Sequence, residues 1–154
     1  MNLVTDEAWI GSLISWVLSG HESIRLETKR VSGKMVGKAL ETVCAFANTT
    51  GGWLVLGVED PSKARGPQRL YGVEENQEAV DELIRKLGTH LLPAVDGTQI
   101  FRVPCTLRDG SQGSLVALHV PASDKVHSIL DDGTWTRGQA SNREMSASEI
   151  TELS

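Results

Sequence analysis

Apolar positions recur along this chain with two different periods, and the switches between them mark out the elements. After Thr5 or Asp6, either a suitable N-cap, residues Trp9, Ile10, Leu13, Ile14 and Val17 keep the spacing of one helix stripe, and Ser19-Gly20 stops it. The segment IRLETKR then alternates, with Ile24, Leu26 and Thr28 on one side and Arg25, Glu27 and Lys29 on the other, the period of a half-buried strand. A second helix is predicted from about Gly33 to Asn48, with Val36, Leu40, Val43 and Ala47 facing inward. Thr49-Thr50-Gly51-Gly52 ends it, because glycine takes the left-handed conformation a helix terminus needs.

WLVLGV is apolar on both faces, as expected of a central strand covered on both sides. A loop rich in proline and glycine, PSKARGPQRLYG, follows Asp60. Val80, Leu83, Ile84, Leu87 and Leu91 trace a third helix starting at Asn76. Two strands, TQIFRVPCTL and GSLVALHV, are joined through Asp109-Gly110, and HSILDDGTWTR reads as another hairpin turning at Asp132-Gly133. Ser146 and Glu149 form the capping box of a short last helix. Strands that both alternate with helices and form hairpins give a mixed α/β (α+β) fold, a mixed sheet with helices packed on it. We see no repeat and no linker, so residues 1–154 are expected to form one domain.

Composition narrows the class. A chain of 154 residues, 40% hydrophobic, removes roughly 70% of its unfolded surface from water and needs no staples. Cys44 and Cys105 make neither a disulfide framework nor a zinc-ligand spacing, and no zinc site is expected. Asp6 and Glu7 stand where a signal peptide would be basic, and no membrane-spanning run occurs, so a cytoplasmic protein without membrane contact is expected.

The net charge of -5 argues at first against a nucleic-acid partner. Its distribution reverses that inference. Arg25, Lys29, Arg30, Lys34, Lys38, Lys63, Arg65 and Arg69 outnumber four acids in the window 25–69, a local excess of +4 that leaves -9 elsewhere. A helix start within this window adds free N–H groups and a positive dipole end, which suit a phosphate. A solvated charged face is the plainer account of the same residues.

Inside the basic window lie Glu22, Glu27, Lys29 and Asp60. Glu-x-Lys on a strand puts a carboxylate and an ammonium on one face, roughly 6–7 Å apart at the Cα atoms. Carboxylates so placed can hold Mg²⁺ or Mn²⁺ beside a phosphate, with the lysine orienting water or offsetting charge. Glu22 sits an odd number of residues before Glu27, so it joins them only if the chain turns near His21–Ser23. The same pattern also describes a surface salt bridge.

The blocks Glu22…LETK, AFANTTGGWLVLGVED, YGV, VPAS and TWTRGQASNREMSASEI resemble, in order, the Schlafen AlbA family over roughly positions 19–152. The resemblance implies a mixed α/β domain. From the animal members it implies a metal-dependent endoribonuclease acting on structured RNA such as transfer RNA, with Glu22, Glu27 and Asp60 as catalytic metal ligands and Lys29 assisting. Bacterial members imply instead a non-catalytic DNA- or RNA-binding module of a regulator. Thr28 stands where the family usually has an aromatic, and the Cys/His zinc motif of animal relatives has no counterpart. The animal core joins two such domains, which a homodimer of this chain would rebuild.

The remaining residues divide similarly. Arg137 matches the family arginine, either contacting phosphate or forming a structural ion pair. Gly51-Gly52 runs from helix into strand, the wrong polarity for a phosphate loop. Trp9, Trp16, Trp53 and Trp135 are expected in the core, Trp135 stacking on a base if exposed. His21 is the histidine nearest the acids. Three functions follow: an endoribonuclease preferring RNA to DNA, a non-catalytic nucleic-acid-binding module, and a protein-interaction domain whose basic face meets an acidic partner.

Overall fold

The computed structural model describes residues 1–19, 23–32, 34–138 and 140–153. A short strand, β1 (Asn2–Leu3), leads to Asp6, whose carboxylate accepts from the N–H groups of Ala8 and Trp9 at 3.0 and 3.2 Å and starts α1 (Glu7–Leu18). β2 (Leu26–Lys29) is followed by α2 (Met35–Ala47) and β3 (Gly52–Leu56). β2 and β3 are parallel, with α2 as the crossover that parallel neighbours require. Gly51, at φ +74°, ends α2 by donating to the Phe46 carbonyl at 2.8 Å.

After two single turns of 3₁₀ helix, Gly66–Arg69 and Glu74–Asn76, come α3 (Gln77–Thr89), β4 (Leu91–Leu92) and the long antiparallel pair β5 (Gln99–Thr106) and β6 (Gln112–Val120). β7 (Ser128–Ile129), β8 (Trp135–Arg137), β9 (Asn142–Glu144) and α4 (Ala147–Leu153) complete the chain. The main sheet runs β1-β5-β6-β3-β2, mixed as expected. α1 covers one face through Leu13 and Val17 against Leu26, Val55 and Leu115. α2 and α3 cover the other through Phe46, Val43, Val80 and Leu83 against Leu54, Leu56 and Leu118. Phe46 is fully buried, and truncating such a ring to alanine costs about 3–5 kcal/mol.

Two expectations change. Leu91 leaves the third helix, which stops at Thr89, and enters β4. The Asp132-Gly133 turn is present, but its flanks pair elsewhere: β7 with β4 and β8 with β9, leaving only an Ile129–Gly133 bridge between them. Local turn chemistry set the bend and packing on α2 chose the partners.

At the end of β3 the backbone crowds in a way only glycine allows. Gly57 has φ +99°, and a Cβ there would sit 2.9 Å from the Gly72 carbonyl carbon. Its carbonyl accepts from Tyr71 and Gly72, both at 2.9 Å, and its N–H donates to Lys29 at 2.7 Å. This junction directs the Glu59-Asp60 segment over the ends of β2 and β3.

Candidate nucleic-acid interface

Where β2 and β3 end and α2 begins, the surface opens into a cleft of about 300 Å³. Five cations line it, Lys29, Arg30, Lys34, Lys38 and Lys63, together with Glu59, Asp60 and Ser32. Their convergence follows from topology: a parallel β2-α2-β3 unit brings its strand ends and the next turn of chain to one rim. Lys34, the N-cap of α2, makes no side-chain capping bond, so the positive end of the helix dipole opens on the cleft without a side-chain cap. Lys34, Lys38 and Lys63 are exposed and form no ion pair within 4.0 Å among the described residues.

Arg30 is already engaged. Its guanidinium donates to both oxygens of Glu75 at 2.9 and 3.1 Å and to Glu59 at 3.3 Å, and it lies 3.8 Å over the Tyr71 ring. The Glu75 bond raises its pKa further, with Glu59 adding to it and burial opposing both. Glu59, one residue before the expected Asp60, is the acid that sequence reasoning passed over. Its carboxylate also accepts from the Asp60 N–H at 2.8 Å and so sets the turn. Asp60 is exposed and accepts from the Ser62 N–H at 2.8 Å. That bond holds its pKa below the ordinary aspartate value.

Glu27 and Lys29 share a face, as the alternation required, with Lys29 Nζ 3.8 Å from Glu27 Oε1. Their register beside Leu54 and Leu56 points them to the α2 side. There Glu27 is 7% exposed and meets Arg137 at 3.3 Å. Arg137, 5% exposed, also donates to Asn142 Oδ1 at 2.9 Å, to the Ser23 carbonyl at 2.7 Å and to the Leu26 carbonyl at 3.2 Å. Asn142 in turn donates to Thr42 on α2 at 2.9 Å. Of the two readings of Arg137, the structural ion pair is the one the geometry displays. Its Nε is buried with no partner.

Arg69 also leaves the phosphate-binding set. It is 2% exposed, donating to the Glu59 and Val17 carbonyls at 2.8 and 2.9 Å and to Thr28 Oγ1 at 3.2 Å. Thr28, in place of an aromatic, supplies the hydroxyl that this arginine uses. Arg25 and Arg65 are exposed but stand outside the cleft lining. A second acid that the sequence did not flag, Glu41, borders the cations: burial first and then Asp132 raise its pKa, while Lys38 and Lys29 pull it down.

Glu22 and His21 lie outside the described residues. Among the described residues no group of three His, Cys, Asp or Glu side chains is placed to hold a metal ion. Of the expected Mg²⁺ or Mn²⁺ ligands, Glu27 meets Arg137 and Asp60 accepts from the Ser62 N–H. Cys44 and Cys105 are both buried, and burial pushes each thiol up to about 11. Trp16 departs from its expected place in the core, being 39% exposed. Trp9, Trp53 and Trp135 are partly buried against the two core clusters. No helix is long and apolar enough to cross a membrane.

Comparison with known proteins adds three findings. The profile of the family described as "Schlafen, AlbA_2" matches residues 22–146. The crystal structure of the DIP2311 protein from Corynebacterium diphtheriae has a similar fold, with a TM-score of 0.58 at 20% identity. The alignment covers 94% of this chain and 31% of that one, so this chain corresponds to about a third of the longer protein. No curated protein matches the sequence.

Proposed function

The chain belongs to the Schlafen, AlbA_2 family, whose theme is nucleic-acid-related, and from that premise we propose that it binds nucleic acid, RNA in preference to DNA, through the cleft at the start of α2. One observation carries the reading: Lys29, Arg30, Lys34, Lys38 and Lys63 converge on a single cleft, on a chain that is otherwise acidic. A phosphate backbone entering there releases counterions and meets the helix dipole, while the acidic remainder repels it. On this reading the nucleic acid approaches the α2 rim of the protein.

A second reading goes further along the same surface. Asp60 and Lys29 line the cleft together, which favours a metal-dependent endoribonuclease. In it Glu22, Glu27 and Asp60 serve as the Mg²⁺ or Mn²⁺ ligands, and Lys29 assists. Glu27 would have to exchange its Arg137 contact for the ion. A homodimer would present two such clefts to a structured RNA such as transfer RNA, and a cytoplasmic protein meets that substrate.

The test is to mix purified protein with transfer RNA, single-stranded RNA and duplex DNA, with Mg²⁺, Mn²⁺ or chelator. Binding that weakens steeply with salt is expected. Lack of binding at low salt removes the proposal and leaves an acidic protein as the cleft's partner. Cleavage that stops with chelator and with the Glu27→Ala/Asp60→Ala pair selects the second reading. Binding without cleavage selects the first.

A further inference from the structure

α1 precedes the family-matched segment and carries one charged residue, Glu7. Trp9, Ser12, Leu13 and Trp16 keep helical 3-1-3 spacing and share one stripe of it. Together with Trp53 of β3 they enclose a cleft of about 200 Å³. Two of its three indoles are fixed from behind. Trp9 lies 5.4 Å from the Phe101 ring and meets Trp53 edge-on at 6.2 Å. Trp53 is packed 5.9 Å from Phe101 and 4.8 Å from His119. The third, Trp16, remains 39% exposed. The result is an aromatic slot, rigid on two sides and open on the other, with the Ser12 hydroxyl as its polar group.

We propose that this slot stacks one unpaired base of a single-stranded nucleic acid whose phosphates continue to the cationic cleft. The inference rests on the nucleic-acid reading of that cleft and adds a second subsite to it. Three observations select the occupant. The slot's volume suits a single flat ring system, whereas a helix face or a second copy of the chain would need a much broader patch, about 800 Å² on each partner. Preformed indole walls stack any base with little ordering cost. The sheet edge beside the slot also carries a cation for the adjoining phosphate: Arg25, one residue before β2, accepts at its carbonyl from the Trp53 N–H at 2.8 Å, is exposed and forms no ion pair among the described residues.

The path between the subsites is short. β2 is the edge strand of the sheet, and Leu26 lies beside Trp53 while Lys29, three residues on, lines the cationic cleft. That is roughly 10 Å along the strand at about 3.3 Å per residue. A single strand can therefore round the β2 edge, with a base held on the α1 side and phosphates on the α2 side.

The test compares two polymers of equal charge on the full chain: a ten-nucleotide oligoribonucleotide and an abasic oligomer of the same length. Anisotropy gives affinity and indole fluorescence reports stacking. The base-bearing polymer is expected to bind roughly 5–100-fold more tightly and to quench fluorescence. Trp16→Ala is expected to remove most of that difference while leaving abasic binding and its salt slope unchanged, and Trp16→Phe is expected to restore it. Preserved abasic binding also shows that the variant is folded. Equal affinity for the two polymers, or a ratio that Trp16→Ala does not alter, overturns the slot and leaves the cationic cleft standing. Failure of the wild type to bind either polymer overturns the nucleic-acid reading itself. If Trp16→Ala instead converts a dimer to a monomer with the affinity ratio intact, the indoles serve a second copy and the proposal falls.

Discussion

Arg69 and Arg137 come from the same inventory of cations as Lys34, Lys38 and Lys63, yet their surroundings are opposite. The two arginines are 2% and 5% exposed and spend their donors on carbonyls, Thr28, Asn142 and Glu27. The three lysines are exposed around an open cleft that Glu59 and Asp60 also line, and none of them forms an ion pair within 4.0 Å among the described residues. Residue chemistry accounts for the division. A planar guanidinium can satisfy several buried acceptors at once, whereas an ammonium is strongly hydrated and favours the surface. The cations inside therefore build the rim that positions the cations outside.

The largest effect expected from that contrast is on stability. Arg137→Met leaves the Glu27 carboxylate buried with only Lys29 at 3.8 Å. Removing one partner of a buried pair costs about 3–5 kcal/mol, which for a chain of this size lowers Tm by about 6–20 °C. Adding Glu27→Gln should recover part of the loss, because no buried charge then lacks its partner. Thermal unfolding of the two variants measures both. A loss below about 1 kcal/mol for Arg137→Met would return Arg137 to the candidate phosphate ligands.

The lysines should behave in the reverse way. The triple change Lys34→Ala/Lys38→Ala/Lys63→Ala is expected to move stability by no more than about 0.5 kcal/mol per site. It should lower the slope of log K against log salt by about one for each lysine. Duplicate titrations at several salt concentrations give the slope. A triple variant that unfolds easily but binds normally would invert the whole contrast.

Arg30 stands between the two groups, with its side chain 43% exposed and both Glu75 oxygens on its guanidinium. Glu75→Gln weakens that hold, so the salt slope should steepen by up to about one while Tm changes little. An unchanged slope would place Arg30 with the internal arginines in function as well as in bonding.

Exposure of this kind is what the sequence shows least. Elements with a strong local signature were legible: the Val80, Leu83, Ile84 and Leu87 stripe, the Asp109-Gly110 hairpin, and the capping box in which Ser146 Oγ accepts from the Glu149 N–H at 3.3 Å. Glu27 and Lys29 were placed on one face by alternation alone. What could not be read was every pairing made at long range. β7 chose β4 over its neighbour in sequence, and Arg69 reached back 52 residues to the Val17 carbonyl. Arg137 reached 110 residues to Glu27. Charge counting sees all eight cations of the window as equal, and only the folded chain shows which have already found their acceptors.

The smallest expected effect concerns a carboxylate at the border of the lysines. Burial and Asp132 raise the pKa of Glu41 above its ordinary value, and Lys38 and Lys29 only partly offset them. The folded protein therefore holds this proton more tightly than the unfolded chain. Its contribution to stability is fully present below the unfolded value of about 4.3 and is lost as pH rises through the folded value. Over the same window the cleft gains a negative charge next to Lys38, so affinity for a polyanion should fall as pH rises. Glu41→Gln removes the proton exchange and should flatten both profiles relative to the wild type, leaving the variant the tighter binder at neutral pH. Paired unfolding and binding curves, taken from about pH 4.3 to neutrality, report Glu41 together with Asp132, whose charge acts on it. Identical curves for the two would show that Lys38 and Lys29 already neutralise Glu41, and the outer cations would then be less free than their lack of ion pairs implies.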